Sequence, residues 1–335
     1  MRICILGAGG LGSLIGGYLA RTGVDVTLIG RPAHVEAIRQ HGLHISGIRG
    51  EYVVREHLTA VTRPQEAEGT FDYFILLVKG KDTHTALQQA EGLRARVATV
   101  LSLQNSIEKD GLLARWAGAE KVVGAMTIEG ATLVEPGHVR NHVTTPTTAY
   151  FGEVDGRLTP RVEALAATFQ QAGLGSKAVT NIVQVEWEKL TQIATASGWS
   201  VTTLAALPDL TFADGWVVRE GAEHYVQLSK ELLSVYKALG YTPQNFFAPL
   251  SRLQELDVLD FAEAVAMVQE MGRSMKAQGT RARTSMHEDV LRRRKTEVEE
   301  ILKPFLEKGA SLGLPLPTVT AVYRVIRTLD CYLNA

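Results

Sequence analysis

Residues 2–30, RICILGAGGLGSLIGGYLARTGVDVTLIG, decide the fold of the first half of the chain. The apolar run Arg2–Leu6 has the length and composition of a buried strand. The segment Ser13–Thr22 is helix-like and ends at Gly23, and Asp25–Ile29 is a second strand-like run. Strand, turn, helix and strand follow one another within about 30 residues, which predicts a βαβ unit.

The turn after the first strand reads Gly7-Ala8-Gly9-Gly10-Leu11-Gly12 and fits the pattern G-x-G-x-x-G. In such a turn Gly7 permits the tight bend, Gly9 lets the backbone approach a pyrophosphate, and Gly12 lets helix and strand pack closely. The N-terminus of the following helix adds free N–H groups and the positive end of the helix dipole. A glycine-rich packing helix is the alternative. The position of the pattern between an N-terminal strand and a helix favours a dinucleotide-binding site formed by all six residues.

The end of the second strand indicates which dinucleotide binds. An enzyme that uses NAD usually carries Asp or Glu here, to bind the 2′-hydroxyl of the ribose. This chain has Ile29-Gly30-Arg31-Pro32 instead. Arg31 can hold a 2′-phosphate through charge-assisted hydrogen bonds, and no acid repels that phosphate. The sequence therefore favours NADP(H) over NAD(H), the alternative being that Arg31 is an ordinary solvated loop residue.

Two further apolar runs, Tyr73–Val78 and Val97–Leu103, are expected to be parallel strands of the same sheet. Ligands of such sheets bind beyond the carboxyl ends of the strands. Lys79 follows the first run, and Gln104-Asn105-Ser106 follows the second. Lys79 and Asn105 are therefore candidate cofactor-binding residues.

The rest of the chain completes the predicted architecture. The β-branched run Val139–Thr148 and the segment Tyr150–Gly152 suggest antiparallel strands that complete the sheet. From about Asn181 onward the apolar residues change to helical spacing. Helices are expected around Val218–Leu239 (ending at Gly240), at Leu256–Gln278, at Ser285–Lys308 and at Val319–Leu333. The predicted fold class is α/β: a Rossmann-type doubly wound sheet in an NADP-binding domain of residues 1–181, followed by an all-helical substrate and catalytic domain of residues 182–335.

Charge and hydropathy argue against two classes of partner. With 35 Lys and Arg against 36 Asp and Glu, the net charge is −1, which argues against nucleic acid as the main partner. The basic run Arg292–Lys295 has acidic residues four positions away, so a salt-bridged, solvated helix is expected there. Ile3–Ala20 is an uncharged stretch long enough to raise the question of a membrane span. Its glycines argue against one, because each interior glycine costs ~1 kcal/mol in a helix.

Cysteine and histidine positions point to no special chemistry. Cys4 and Cys331 cannot form a disulfide scaffold, so a reducing, cytoplasmic location is expected. His138 and His142 lie in a strand-like segment, where their spacing does not bring the side chains together, so no metal site is predicted. The long apolar helices of the second half are compatible with a homodimer and equally with an internal core.

Several stretches resemble the ketopantoate reductase (2-dehydropantoate 2-reductase) family. They are the glycine-rich start Ile3–Gly17, the strand ends Val78-Lys79 and Leu103-Gln104-Asn105, and two motifs farther along the chain. The first motif, Trp187-Glu188-Lys189-Leu190, is similar to the family's Trp-x-Lys-Leu. The second is similar to the family's Ser-Met-x-x-Asp followed by Arg-x-Thr-Glu, and reads Ser285-Met286-His287-Glu288-Asp289 continued by Arg294-Lys295-Thr296-Glu297. Because these stretches span nearly the whole chain in the right order, the chain is identified as a member of that family.

The resemblance implies NADPH-dependent reduction of the ketone of a small 2-oxo acid to the 2-hydroxy acid, as in the conversion of 2-dehydropantoate to pantoate in pantothenate biosynthesis. It implies that Lys189 is the general acid and that Glu297 positions the substrate and the lysine. It also implies that Ser285 binds the carboxylate end and that Asn105 lies near nicotinamide and ketone. Hydride arriving at a carbonyl carbon leaves negative charge on oxygen, which a positioned ammonium stabilises and then protonates. A carboxylate such as Glu297 near Lys189 would oppose the fall in the lysine pKa that burial causes.

The chain departs from the family where the substrate is expected to bind. Lys189, Ile193 and Ser197 are spaced to share one face of a helix, and the family usually carries asparagine at the latter two positions. A lost hydrogen bond to a buried substrate hydroxyl costs ~1–3 kcal/mol. Three alternatives therefore stay open: reduction of 2-dehydropantoate itself, a reductase or dehydrogenase of the same fold that acts on a more apolar carbonyl or hydroxy substrate, and a non-catalytic NADP-binding sensor.

Overall fold

The computed structural model describes residues 1–334 of the chain. These residues divide into two compact units, Met1–Glu186 and the part from Trp187 onward. No helix of the described part is long and apolar enough to cross a membrane.

The first unit contains twelve strands and five α-helices within the described residues. In chain order they are β1 (Arg2–Leu6), α1 (Gly10–Ala20), β2 (Asp25–Ile29), α2 (Pro32–His41), β3 (Leu43–Gly47), β4 (Tyr52–Val54), β5 (Leu58–Val61), β6 (Phe71–Leu76), α3 (Thr83–Gln89), β7 (Val97–Ser102), α4 (Lys109–Ala117), β8 (Gly124–Thr127), β9 (Gly130–Glu135), β10 (His138–Val143), β11 (Ala149–Gly152), α5 (Pro160–Gln171) and β12 (Ser176–Ala178).

A five-stranded, all-parallel sheet with the order β5-β2-β1-β6-β7 forms the centre of this unit. Alternate residues of β1 pack into different apolar clusters: Ile3 and Ile5 belong to one, and Cys4 and Leu6 belong to the other. Side chains of a strand point alternately to its two faces, so this sheet is buried on both sides. The predicted Rossmann-type doubly wound sheet is confirmed.

The antiparallel strands differ from the sequence-based prediction. Only the first part of the predicted segment Val139–Thr148 is a strand, since β10 ends at Val143; β10 pairs parallel with β3 and antiparallel with β9 in a separate four-stranded sheet. The segment Tyr150–Gly152 lies in β11, which pairs antiparallel with β8 in a three-stranded sheet. That sheet is linked to β7 by a hydrogen bond from Val123 N–H to the Val100 carbonyl. The prediction that Val139–Thr148 completes the parallel sheet was therefore wrong, because the strand has a different partner, β3.

Helix α1 is rich in glycine because it lies between two sheets. A Cβ atom on Gly16 would lie 2.7 Å from a methyl carbon of Leu28 in β2. A Cβ atom on Gly17 would lie 2.5 Å from a methyl carbon of Ile45 in β3. Neither site has room for a larger side chain, and the glycines therefore permit close packing on both sides of the helix.

From α6 onward the chain is helical. The helices are α6 (Ile182–Leu204), α7 (Phe212–Trp216), α8 (Arg219–Ala238), α9 (Leu253–Val258), α10 (Phe261–Ala277), α11 (Ser285–Leu291), α12 (Val298–Ile301), α13 (Lys303–Ser311) and α14 (Pro317–Asp330). Gly240 has a φ of +87° just beyond α8, as the predicted end of that helix requires. The predicted all-helical second half is confirmed, whereas the domain boundary at residues 181 and 182 stays a prediction.

Two of the predicted helices are interrupted. The helix expected over Leu256–Gln278 is divided between α9 and α10, because Asp260 begins a new helix with a capping box to Glu263. The helix expected over Ser285–Lys308 ends at Leu291, and Arg293 has a φ of +54°. A left-handed residue ends an α-helix, so the salt-bridged helix predicted over Arg292–Lys295 does not form. The predicted pair of Glu288 with Arg292 is present, at 3.5 Å.

Candidate active site

Gly7 and Gly12 allow β1 and α1 to meet in a tight turn. Gly7 has a φ of +114°, and a Cβ atom there would lie 2.5 Å from the backbone of Leu77 and Val78. A Cβ atom on Gly12 would lie 2.2 Å from the Gly7 carbonyl oxygen. Any side chain at either position would force the backbone apart, so both glycines are required by the geometry.

The same turn exposes hydrogen-bond donors. The N–H groups of Gly7 and Ala8 donate to the Ile29 carbonyl, which fixes the turn to the end of β2. The first backbone bond at the start of α1 runs from Ser13 N–H to the Gly9 carbonyl. Within residues 1–334, the N–H groups of Gly10, Leu11 and Gly12 consequently have no backbone acceptor.

The space beside Gly9 in this turn is open. No atom lies within 4 Å of the position that a Cβ atom on Gly9 would occupy. Open space beside a helix N-terminus that carries free N–H groups is the arrangement in which proteins bind phosphate. The turn formed by Gly7, Ala8, Gly9, Gly10, Leu11 and Gly12 therefore fits a dinucleotide pyrophosphate.

Arg31 lies at the end of β2, immediately before α2. Its side chain is exposed, and none of the hydrogen bonds or ion pairs within residues 1–334 involves its guanidinium group. Gly30 precedes it, and a Cβ atom there would lie 2.8 Å from the Ala8 side chain, so this strand end touches the glycine turn. The guanidinium is therefore available to a ligand held at the same sheet edge.

Lys79 and Asn105 follow β6 and β7, at the carboxyl edge of the parallel sheet. Gln104 joins the two strand ends, because its side-chain amide donates to the Val78 carbonyl at 2.7 Å and to Thr83 Oγ1 at 2.9 Å. Lys79 is exposed and Asn105 is partly buried. Since β6 lies next to β1, these residues occupy the sheet edge where the glycine turn begins.

In the second unit, Lys189 is a buried lysine on α6. Its side chain is only 3% exposed, and its Nζ lies 5.9 Å from the centre of the Phe247 ring. Burial lowers the pKa of Lys189 from its ordinary value of 10.5 to about 7. A lysine with a pKa near neutrality can give up and regain a proton during turnover, which is the property of a general acid.

The role of Glu297 beside this lysine stays a prediction. No hydrogen bond or ion pair within residues 1–334 involves the Lys189 ammonium, and burial alone accounts for its pKa shift. Glu297 is partly buried at the start of α12, where the neighbouring Thr296 is fixed by two hydrogen bonds to Asp330.

The residues that follow Lys189 on α6 are Ile193, which is partly buried, and Ser197, which is fully buried. Ser197 Oγ has no hydrogen-bond partner within residues 1–334. Ser200, one turn later, contacts Thr284 through their hydroxyl groups at 2.9 Å. Thr284 caps α11, whose first residue is the exposed Ser285, so α6 approaches the start of the predicted carboxylate-binding motif.

Sequence reasoning missed several buried polar residues around these positions. His287 in α11 is fully buried, and neither ring nitrogen has a hydrogen-bond partner within the described chain. Glu186 on α6 pairs with Lys109 of α4, and both side chains are buried. Burial raises the pKa of Glu186 above its ordinary value, and the Lys109 ammonium opposes that rise. A single sequence contains no signal for these contacts, because the partners are far apart along the chain.

Comparison with known proteins places this geometry in a family. The family model of ketopantoate reductase PanE/ApbA matches residues 3–156, and the model of the C-terminal part of the same family matches residues 181–330. The 2-dehydropantoate 2-reductase of Archaeoglobus fulgidus is 29% identical over 329 residues, which cover 98% of each chain.

Solved structures share the fold along the entire chain. A PanE/ApbA family ketopantoate reductase from Ralstonia eutropha JMP134 has a TM-score of 0.78 at 26% identity, with 99% of both chains covered. A D-mandelate dehydrogenase bound to NADH and anilino(oxo)acetate has a TM-score of 0.78 at 22% identity, with 100% of both chains covered. The chain belongs to the ketopantoate reductase family of oxidoreductases.

Proposed function

We propose that the protein uses NADPH to reduce the ketone of a 2-oxo acid to the 2-hydroxy acid. The observation that carries the proposal is Lys189, a buried lysine whose pKa burial lowers to about 7, in the family's Trp-x-Lys-Leu motif. A protein that only senses a dinucleotide has no need of such a proton donor. The reference reaction of the family is the reduction of 2-dehydropantoate to pantoate in pantothenate biosynthesis.

The residues that would hold the cofactor lie on the first unit. The turn from Gly7 to Gly12 would bind the pyrophosphate, and Lys79 and Asn105 would contact the cofactor at the strand ends. Arg31 supports NADP(H) over NAD(H), because its exposed guanidinium is not engaged within the described chain and the position has no acid. When bound, the cofactor supplies the hydride.

The proton would come from Lys189. Below its pKa the ammonium stabilises the negative charge that develops on the substrate oxygen and then donates its proton to that oxygen. Ser285 would bind the substrate carboxylate, Asn105 would orient the ketone, and Glu297 would position the substrate. Deprotonated Lys189 cannot donate, so reduction is expected to require the charged form.

A second substrate class is favoured by Ile193. In the family an asparagine usually stands at this position on α6, one turn after the catalytic lysine. An aliphatic side chain cannot hydrogen-bond a substrate hydroxyl, and it makes favourable contact with an apolar group instead. We therefore propose a 2-oxo acid with an apolar side chain as the alternative to 2-dehydropantoate. That a D-mandelate dehydrogenase shares the fold supports this alternative.

The test is NADPH oxidation, followed by absorbance, with a panel of 2-oxo acids. The panel contains 2-dehydropantoate, its analogue without the hydroxyl, and 2-oxo acids with branched and aromatic side chains. Turnover with any of them supports reduction, and the order of kcat/KM identifies the substrate class. Tight NADPH binding without turnover on the entire panel would instead favour the sensor.

A further inference from the structure

Glu188, the residue before Lys189, is a buried carboxylate with three hydrogen bonds to another part of the second unit. Its side chain is 1% exposed. Oε2 accepts from the N–H group of Gln244 at 2.7 Å and from the Tyr236 hydroxyl at 3.1 Å. Oε1 accepts from the N–H group of Phe246 at 2.9 Å. The carboxylate is therefore bound by the backbone of the turn 244–246.

This turn has the conformation that suits an anion. Asn245 has a φ of +51°, and a left-handed residue within a turn helps to aim neighbouring N–H groups at one point. The Asn245 side chain holds the other side of the turn, since its Nδ2 donates to Glu255 Oε2 at 2.7 Å and its Oδ1 accepts from Gln254 N–H at 3.0 Å. The turn is thus fixed by Glu188 on one side and by α9 on the other.

Phe247 follows the turn directly and contacts the lysine. Its side chain is fully buried, and its ring centre lies 5.9 Å from Lys189 Nζ. A ring at this distance attracts the ammonium weakly, and its bulk keeps water away. Exclusion of water disfavours the charged form of a lysine, whereas the attraction of the ring favours it. The two effects of Phe247 on the ammonium are therefore opposed.

Within residues 1–334, burial is the cause of the lowered pKa of this lysine. The titratable groups on the elements that carry the arrangement are Glu188 on α6, Tyr236 on α8 and Glu297 at the start of α12. Glu188 and Tyr236 hydrogen-bond to each other, and none of the three forms an ion pair with Lys189 within residues 1–334.

We propose that Glu188 is a positioning residue for the proton donor: it fixes the turn 244–246 so that Phe247 stays against Lys189 and shields the ammonium from water. The proposal rests on the proposed function for its catalytic meaning, because there Lys189 is the general acid. The shielding itself is a property of the protein without substrate.

The experiment measures the titration of Lys189 directly. The full-length protein is labelled with lysine carrying ¹³C at Cε, and the signal of Lys189 is assigned by its loss in Lys189→Arg. Midpoints are compared for the wild type, Glu188→Gln, Phe247→Ala, Phe247→Leu and the control Gln244→Ala. Gln244 is exposed and bonds to Glu188 only through its backbone N–H, so the control keeps every bond of the turn to the carboxylate.

Glu188→Gln and Phe247→Ala are expected to raise the midpoint by about one pH unit, which is about a tenfold change in the proton-dissociation constant. Phe247→Leu keeps an apolar cover and loses the attraction of the ring, so its midpoint is expected to stay at or below that of the wild type. The control is expected to match the wild type. Near-ultraviolet circular dichroism checks that each variant is folded. If Phe247→Ala does not fold, the midpoints of the two single variants Phe247→Leu and Glu188→Gln test the proposal.

A lower midpoint in Glu188→Gln would overturn the proposal, because it would mean that Glu188 acts on Lys189 through its charge. Unchanged midpoints in both Glu188→Gln and Phe247→Ala would overturn it as well. The titration needs no turnover. Failure of every 2-oxo acid as a substrate would therefore refute the proposed function without changing the outcome of the titration.

Discussion

Lys109 Nζ lies 2.5 Å from Glu186 Oε1, and both side chains are almost completely buried. Asp110 adds a second carboxylate at 3.4 Å from the same ammonium. Burial opposes the charge on Lys109, but the two carboxylates outweigh it and raise the pKa of the lysine. Glu186 also accepts a hydrogen bond from Ala125 N–H, so this buried ion pair joins α4, β8 and the start of α6.

We expect Lys109→Met to lower the free energy of unfolding by ~3–5 kcal/mol, because it leaves the buried Glu186 carboxylate and the partly buried Asp110 carboxylate without their cation. Urea unfolding followed by circular dichroism at pH 7 measures the loss. The double variant Lys109→Met with Glu186→Leu is the matched control and should regain much of the stability. A loss below about 1 kcal/mol in the single variant would show that the pair is not important for folding.

Lys189→Ala should lower kcat by ~10²–10⁴-fold, since it removes the proposed proton donor. The binding of NADPH, measured by fluorescence titration, should remain. The exposed Lys177 serves as the control, and its replacement by alanine should change neither quantity. Turnover close to that of the wild type would remove Lys189 from the mechanism.

Arg31→Ala should weaken NADPH binding by ~1.5–3 kcal/mol, because a charge-assisted hydrogen bond to the 2′-phosphate is lost. The affinity for NADH, which lacks that phosphate, should be nearly unchanged. Arg31→Lys retains the charge without the planar fork of donors, so its NADPH affinity should lie between those of the wild type and Arg31→Ala. Equal losses for NADPH and NADH would contradict the assignment of Arg31.

In the first half of the chain, the sequence predicted those features that depend on residues close together along the chain. The strands Arg2–Leu6 and Asp25–Ile29 have the bounds expected from their apolar runs, and Gly7 and Gly12 occupy the predicted turn. Partners that are distant in sequence were not predictable. The pairing of β10 with β3 is one case, and it placed a strand in a different sheet from the one expected.

The site shows the same division between local and distant information. The motif around Lys189 is visible in the sequence, whereas its burial and its contact with Phe247 depend on packing. The role expected of Glu297 beside Lys189 stays a prediction, because spacing along the chain does not determine the distance between two helices. The helix predicted over Ser285–Lys308 from its periodicity is also interrupted at Arg293, where the backbone takes a left-handed conformation.

The rate of 2-oxo acid reduction should fall above a pH of about 7, the pKa to which burial lowers Lys189. The charged form is the proton donor and predominates below the pKa, so the rate should be level on the acid side and fall about tenfold per pH unit on the alkaline side. The pH dependence of kcat/KM, which reports the pKa values of the free protein, gives the profile when it is measured between about pH 5.5 and 9.5. A rate that rises through this range would mean that neutral Lys189, acting as a base, is the active form.

Ile193→Asn should change which 2-oxo acid the protein prefers. The asparagine restores a hydrogen-bonding group one turn after Lys189, and such a group discriminates by ~1–3 kcal/mol between a substrate with a hydroxyl and one without it. We expect kcat/KM for 2-dehydropantoate to rise by about tenfold or more relative to the analogue without the hydroxyl. Ile193→Leu is the control, since it keeps an apolar side chain of equal volume and should leave the ratio unchanged. If both variants give the wild-type ratio, Ile193 does not contact the substrate, and the departure from the family at this position has no bearing on specificity.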